Sequence, residues 1–406
     1  MNVPIRPILS ALFRNRAGAL LVAAQVAIAL AVLVNAVYMV KQRIDLVSRP
    51  TGIDVDNIFV VGVTGFTKSF NYTAMLDEDI TWLRSIPGVI GVTATNSVPL
   101  SGGGSSDYVK LTPDAKGGRE TLVNYFHLNE QGASTLGLKM IAGRWFTREE
   151  VQPPGPSLFA VYSGPIVVTK DYADRLFPKG DALGKVVYGS SSQPLTIIGI
   201  VDHMLGSWLT GVDHPSDIMY MAFQPSGPGT RYLVRTAPGM RDQLMRKVEA
   251  ELSQRNEGRA VNYVRTLKLY KDRSYLTARN MGIYLATVTA LLLAITSFGI
   301  FALATFNVST RTKQVGTRRA VGARRRDIVA HFLVENWMIM TAGVLVGCML
   351  ALAAGHLLSL QYELPRVDLY YIVGGVLAMW VVGLAAAWHP SRRAARISPA
   401  LATRTV

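Results

Sequence analysis

The chain alternates between long apolar runs and stretches of mixed polarity. Four runs carry no Asp, Glu, Lys or Arg: Ala17–Val40, Met281–Phe306, Asn336–Gly355 and Leu369–Trp388, of 24, 26, 20 and 20 residues. A helix rises about 1.5 Å per residue, so roughly 20 apolar residues cross a hydrocarbon core about 30 Å thick. Each run therefore predicts a membrane-spanning helix, one before and three after a long central segment. The first run exceeds the roughly 7–15 apolar residues of a signal-peptide core. Bulky Tyr38, Met39 and Val40 stand where a cleavage site needs small residues, so it reads as an uncleaved first helix.

The central segment, 41–280, changes period repeatedly. Ile58–Val63, Val92–Val98, Arg231–Thr236 and Val261–Val264 are β-branched runs that predict strands. Leu76, Ile80 and Leu83, and then Met240, Leu244, Val248 and Leu252, recur at helical spacing. Two strand–helix–strand units thus flank an insertion, and predict one layered α+β part built from 41–98 and 231–280. The insertion, 99–230, is rich in Gly, Pro and Ser. It holds strand-like runs at Thr121–Leu128, Ile166–Thr169, Leu195–Val201 and Ile218–Phe223, with a helix at Asp171–Phe177. It predicts a second, mostly β part. Arg43–Val47 and Leu267–Asn280 are placed to continue the first and second spans outward.

Charge orients this layout. The formal net charge is +15. Residues 1–16, 307–327 and 389–406 together hold 14 Lys and Arg against Asp327 alone, whereas 41–280 holds 27 basic and 23 acidic residues. Short cytoplasmic loops retain Lys and Arg, and long translocated domains are largely exempt from that bias. Both termini and 307–327 are therefore expected in the cytoplasm, and 41–280 on the far side. The remaining boundaries follow: spans at 17–40, 281–306, 328–358 and 369–389, a short outer loop at 359–368 and a tail at 390–406. Residues 1–16 read equally as an interfacial helix on membrane lipid or as a plain anchor. Topology absorbs most of the basic excess, and no aromatic-plus-basic platform accompanies it, so no nucleic-acid partner is expected.

Candidate chemistry in the 406 residues is sparse. No G-x-x-x-x-G-K-[ST], H-E-x-x-H, C-x-x-C or G-x-S-x-G occurs. Ser101–Ser106 reads as a flexible loop, not a phosphate cradle. Asp202-His203 and Asp213-His214 read as loop dipeptides in preference to a metal site. Cys348, the only cysteine, reads as a packing residue within the third span. No catalytic residue, metal or cofactor is expected. Ionisable groups at membrane depth mark ion and proton paths; here no span centre carries one, which argues against a secondary transporter and against a polar route through the bundle. His331 and Glu335 fall near the cytoplasmic end of the third span.

The informative segment is Arg311-Thr-Lys-Gln-Val-Gly-Thr-Arg-Arg-Ala-Val-Gly-Ala-Arg-Arg-Arg-Asp327. Val315 to Ala320 suit a short helix and Gly322 its end. With its flanks it resembles the signature of the FtsX/MacB-like permeases, membrane subunits of ABC transporters, roughly R-x-x-E-[IV]-G-x-R-[RM]-A-[LV]-G-A followed by a helix with an early acidic residue. Arg311, Val315, Gly316, Arg318, Arg319, Ala320, Val321, Gly322 and Ala323 fit, and Glu335 fits the acidic position. Gln314 stands where the family has an acid, which removes a salt bridge at that position and leaves a hydrogen bond. Pro390–Leu401 is similar to the family's C-terminal tail. Leu136-Gly-Leu138 with Ala142–Phe146, and Leu183-Gly-Lys185 with Ile198–Val201, are similar to segments of the MacB periplasmic core.

The resemblance implies a fold and a mechanism. The fold is a membrane protein with four transmembrane α-helices (1 + 3) and a large extracytoplasmic α+β domain of two subdomains, porter-like and sabre-like. The site is an ATPase-coupling loop made of Arg311, Lys313, Gln314, Val315, Gly316, Arg318, Arg319, Gly322 and Ala323 with Glu335. Its partner is an ABC ATPase on a separate chain, which binds ATP and Mg²⁺; the permease itself is not an enzyme. A second permease copy or paralogue completes a dimer in the bacterial inner membrane. Mechanotransmission follows: ATP-driven closure moves the helices and rearranges the periplasmic domains. Three uses stay open: MacB-like efflux with a periplasmic adaptor and an outer-membrane channel, which leads; lipoprotein release of the LolC/LolE type; and FtsX-like control of cell-wall hydrolases without transport.

Overall fold

The computed structural model describes residues 16–66, 71–113, 120–153, 162–209, 212–225, 227, 230–255, 258–362 and 367–396. Expectations for residues 1–15 and for 397–406, which include the end of the C-terminal motif, fall outside them. The chain divides into two compact units, one formed by the segments up to Ser48 and from Ala278 onward, the other by Arg49–Thr277.

The first unit contains four helices long and apolar enough to cross a membrane. They are α1 (Arg16–Ser48), α7 (Leu276–Thr310), α9 (Arg325–Tyr362) and α10 (Leu369–Ala395). At 33 residues α1 is about 50 Å long, well beyond a 30 Å core, so the predicted continuation through Val47 is present as helix. The third span also outgrows its predicted bounds: α9 begins at Arg325 and runs to Tyr362.

Small residues set how closely these helices approach. Gly343 and Gly347 of α9 form a G-x-x-x-G pair facing α1. A Cβ on Gly343 would lie 2.6 Å from the Ala23 carbonyl oxygen, and one on Gly347 would lie 3.0 Å from that of Ala27. The obstacle is backbone, which cannot yield, so only glycine permits this contact. Asn35 adds a polar tie, its amide donating to the Ala31 and Ala351 carbonyls at 2.9 and 3.2 Å. Val26, Leu30, Val34, Met340, Val344 and Met379 fill the core between these helices, and Ile300 and Ala304 of α7 join it. Thr287, Thr289, Thr296, Ser297, Thr305 and Thr341 each return their hydroxyl to the carbonyl four residues back and so expose no donor to lipid.

In the second unit, β1 (Ile58–Gly65), β10 (Arg231–Thr236), β11 (Arg259–Thr266) and β2 (Val89–Thr95) form an antiparallel sheet in the order β11-β1-β10-β2. The two predicted strand–helix–strand units are therefore interleaved in one sheet. Alternation along β1 sends Phe59, Val61 and Val63 to one face and Ile58 and Val60 to the other. On the first face lie α2 (Tyr72–Ser85), through Leu76, Ile80 and Leu83, and α5 (Arg241–Arg255), through Leu244, Val248 and Leu252. Beneath them Asp79 and Arg259 form a buried ion pair, and Tyr232 donates its hydroxyl to the same carboxylate at 2.8 Å.

The insertion builds a seven-stranded mixed sheet in the order β3-β4-β9-β6-β8-β5, with β7 paired to β8. Its strands are β3 (Ser105–Val109), β4 (Thr121–Leu128), β5 (Met140–Gly143), β6 (Gly164–Thr169), β7 (Val186–Tyr188), β8 (Pro194–Val201) and β9 (Ile218–Ala222). Helices α3 (Gly132–Leu136) and α4 (Lys170–Leu176) accompany it. Ile58, Val60 and Leu233 of the first sheet share one core with Phe126, Ile166, Ile197 and Tyr220 of the second. Two differences from the predicted elements stand out. Ser105 and Ser106, read as loop, begin β3, because Asn124 of β4 caps this edge by donating to the Ser105 carbonyl at 2.6 Å. The second strand ends at Thr95, where the Thr95 hydroxyl bonds the Ser97 carbonyl at 2.8 Å and turns the chain.

Candidate functional site

The segment between α7 and α9 folds as a helix, α8 (Thr312–Ala320), whose end has a local cause. At its end Gly322 takes φ 100°, with open space where a side chain would go, so conformation and not room requires the glycine. The Ala323 N–H reaches the Arg318 carbonyl at 3.0 Å and the Gly322 N–H the Arg319 carbonyl at 3.2 Å. This pair of bonds is a Schellman motif. Two residues on, the Asp327 carboxylate accepts from the Arg324 N–H at 2.9 Å and starts α9.

One face of α8 is fixed to the bundle. Val315 packs in a small apolar cluster with Val308 of α7, Ile328 and Phe332 of α9, and Ala394 and Ala395 of α10. Arg311, the residue before α8, pairs with Glu335 of α9 at 3.0 Å; the carboxylate side chain is 1% exposed and the guanidinium side chain 19%. Through these contacts α8 is joined to three spanning helices at once. The other face is exposed: Lys313, Gln314, Thr317 and Arg318 lie at the surface, and Val321, an apolar side chain, is 84% exposed.

The residues the sequence singles out thus divide. Arg311, Val315, Gly316 and Glu335 face inward; Lys313, Gln314, Arg318 and Gly322 face solvent; Arg319 and Ala323 are half-buried. The hydrophobic floor of Val308, Ile328, Phe332, Ala394 and Ala395 went unread in the sequence. Its signal is present in the four-residue spacing of Ile328, Phe332 and Asn336, but the Ala394–Ala395 part needs the tertiary contact.

In the second unit, His203, one of the two loop histidines, is held by neighbouring acceptors. The His203 ring lies 3.0 Å from an Asp171 carboxylate oxygen and 3.1 Å from the Pro50 carbonyl oxygen. Among the described residues no group of three or more His, Cys, Asp or Glu side chains is arranged to hold a metal. Burial pushes His127 down to about 4, in an aromatic setting of Tyr125 and Phe223. Burial likewise pushes Asp217 up to about 6, against the opposing pull of Arg175 at 3.0 Å.

Comparison with known proteins matches both units. Residues 19–251 match the family model of the MacB-like periplasmic core domain, and residues 286–399 that of the FtsX-like permease C-terminal region. A macrolide export ATP-binding/permease protein MacB of Bartonella quintana is 25% identical over 344 residues, covering 82% of this chain and 49% of that protein. A probable syringafactin export ATP-binding/permease protein of Pseudomonas syringae pv. syringae is 24% identical over 311 residues, covering 73% and 46%. The chain thus spans about half the length of these relatives. The periplasmic region of MacB from Actinobacillus actinomycetemcomitans is similar to 55% of this chain and 94% of its own length, at 17% identity and a TM-score of 0.35.

Proposed function

Because the chain belongs to the family that joins a MacB-like periplasmic core domain to an FtsX-like permease region, we propose that it is the membrane subunit of an ATP-driven exporter, coupled through α8 to an ABC ATPase on a separate chain. The observation that carries this reading is the two-sided character of α8. Its inner face is locked to α7, α9 and α10 by Val315 and by the Arg311–Glu335 pair, and its outer face presents Lys313, Gln314, Arg318 and Val321. A rigid connector with a basic and apolar outer surface is what a force-transmitting contact needs.

The bundle supports work beyond the membrane over passage through it. The four apolar runs hold no charged side chain, and α1 and α9 close on each other at backbone distance. In this reading both termini and α8 are cytoplasmic and the α+β unit is periplasmic. The extended α1 and the α6 (Leu267–Ser274) and α7 segment carry motion outward. A second permease copy completes the assembly, with a periplasmic adaptor and an outer-membrane channel receiving the cargo. The names of the two relatives above make efflux the first use to test, ahead of lipoprotein release or hydrolase control.

The test is ATPase activity of the co-purified complex in nanodiscs. Arg318→Glu with Lys313→Glu is expected to lower permease-dependent stimulation by at least tenfold while leaving insertion and thermal midpoint unchanged. Full stimulation in this variant removes α8 from the coupling role.

A further inference from the structure

Between the start of α9 and the end of α10 lies a cavity of about 480 Å³. Each helix supplies two arginines to its wall: Arg325 and Arg326 from α9, Arg392 and Arg396 from α10. All four are exposed, and no carboxylate is among the described residues that line the cavity. Among the described residues none of the four has an acidic side chain within ion-pair distance, although Arg144, Arg175, Arg235, Arg259 and Arg311 elsewhere in the chain are so paired. The rest of the wall is apolar: Leu333 and Val329 of α9, and Trp388 of α10, whose ring lies 4.6 Å from the Arg392 guanidinium carbon.

The position of the cavity decides what this composition recognises. Arg325 is the first residue of one candidate span and Ala395 the last of another, so the arginines stand at helix ends outside the charge-free runs Asn336–Gly355 and Leu369–Trp388, and Leu333 lies about 12 Å along α9 from Arg325 toward the apolar layer. A ligand that satisfies both parts must carry an anion at the interface and a hydrocarbon chain directed into the bilayer. Basic pockets between spanning helices bind acidic lipid headgroups on this principle, and guanidinium forks match phosphate oxygens two at a time. Trp388, with its apolar ring at the boundary, suits the glycerol region where indoles concentrate.

We infer that this cavity is a binding site for one anionic phospholipid, its phosphate held by Arg325, Arg326, Arg392 and Arg396 and its acyl chain laid along Leu333 and Val329. The site joins the start of α9 to the end of α10, the same helix ends that floor α8, so an occupied site ties the base of α8 to the headgroup layer. It does not depend on the identity of the cargo or of the ATPase.

The test is native mass spectrometry of the full chain released from nanodiscs of phosphatidylcholine and phosphatidylglycerol at 3:1. One retained phosphatidylglycerol per chain is expected. A basic residue at an anionic surface is worth roughly fivefold in affinity, so Arg392→Gln with Arg396→Gln is expected to lower retention by about 25-fold. Arg392→Lys with Arg396→Lys, which keeps the charge, is expected to retain most of it and serves as the folding control. Arg148→Gln, on the other unit, is expected to change nothing. Equal retention of phosphatidylglycerol by wild type and the double Gln variant overturns the proposal. So does equal retention of phosphatidylcholine, or displacement of the lipid by millimolar inorganic phosphate, which would mark a free-anion site. Loss of a co-purified ATPase from the Gln variant with lipid retention intact would identify the cavity as a protein contact and overturn it too.

Discussion

Replacing Glu335 tests how α8 is held. Its carboxylate is 1% exposed and 3.0 Å from the Arg311 guanidinium. Removing one partner of a buried pair costs about 3–5 kcal/mol, because the other charge is left without compensation. Arg311 keeps 19% exposure and can turn toward water, which places Glu335→Ala lower, at about 2–3 kcal/mol. Glu335→Gln leaves an acceptor for the guanidinium and is expected to cost about 1 kcal/mol. The double variant Arg311→Met with Glu335→Met removes both charges together and is expected to regain most of the loss, since apolar replacement of a whole pair is often neutral. A double-mutant cycle of Arg311→Met, Glu335→Met and the double variant, on thermal midpoints of the detergent-solubilised chain, should therefore give a coupling of about 2 kcal/mol. ATPase stimulation is expected to stay low in Glu335→Ala and in the stable double variant, because both lack the fixed start of α8. A coupling within about 0.5 kcal/mol of zero would show the pair to be incidental and refute the account of how α8 is anchored.

Three further outcomes follow from other parts of the structure. Gly343→Leu is expected to force α1 and α9 apart and destabilise the bundle by about 1–3 kcal/mol, whereas Gly374→Ala, with open space at its Cβ, should be neutral or stabilising; thermal aggregation midpoints of the two decide this. Asp79→Asn leaves Arg259 charged and buried and is expected to cost about 3–5 kcal/mol, read from the urea midpoint by tryptophan fluorescence. The third outcome concerns acid stability. His127 is held down to about 4 by burial, below about 6.5 in the unfolded chain. The unfolded state therefore binds the proton first, and stability from this ring is present above pH 6.5 and lost as pH falls from about 6.5 to about 4. His127→Phe should flatten that part of the stability profile, and an unchanged acid limb would contradict it.

Much of the layout was legible because its signals are one-dimensional. A charge-free run of 20 or more residues needs no tertiary partner to be recognised, and strands such as Thr121–Leu128 and Arg231–Thr236 have the bounds their β-branched pattern predicts. The helix α8 was readable from Gly322, which marks its end through a positive φ. What stayed hidden depends on approach between distant segments. Gly343 and Gly347 look like ordinary span residues until the Ala23 and Ala27 carbonyls are placed against them. Short edge strands such as β5 and β7 exist because β8 offers them hydrogen bonds, and their own four and three residues carry little preference. Glu335 matched a motif, but its burial beneath Arg311 separates it from the exposed surface that Lys313, Gln314 and Arg318 form.

The most direct test of the central claim is a photo-crosslink in living cells from a reactive side chain placed at Gln314, with Cys348→Ala as the background for parallel thiol labelling at Lys313→Cys. The account predicts a crosslink from Gln314 to an ATP-binding subunit, and labelling of Lys313→Cys only by reagents that cross the membrane. Labelling of Lys313→Cys by an impermeant reagent from outside the cell, with no crosslink to an ATP-binding protein, would contradict it.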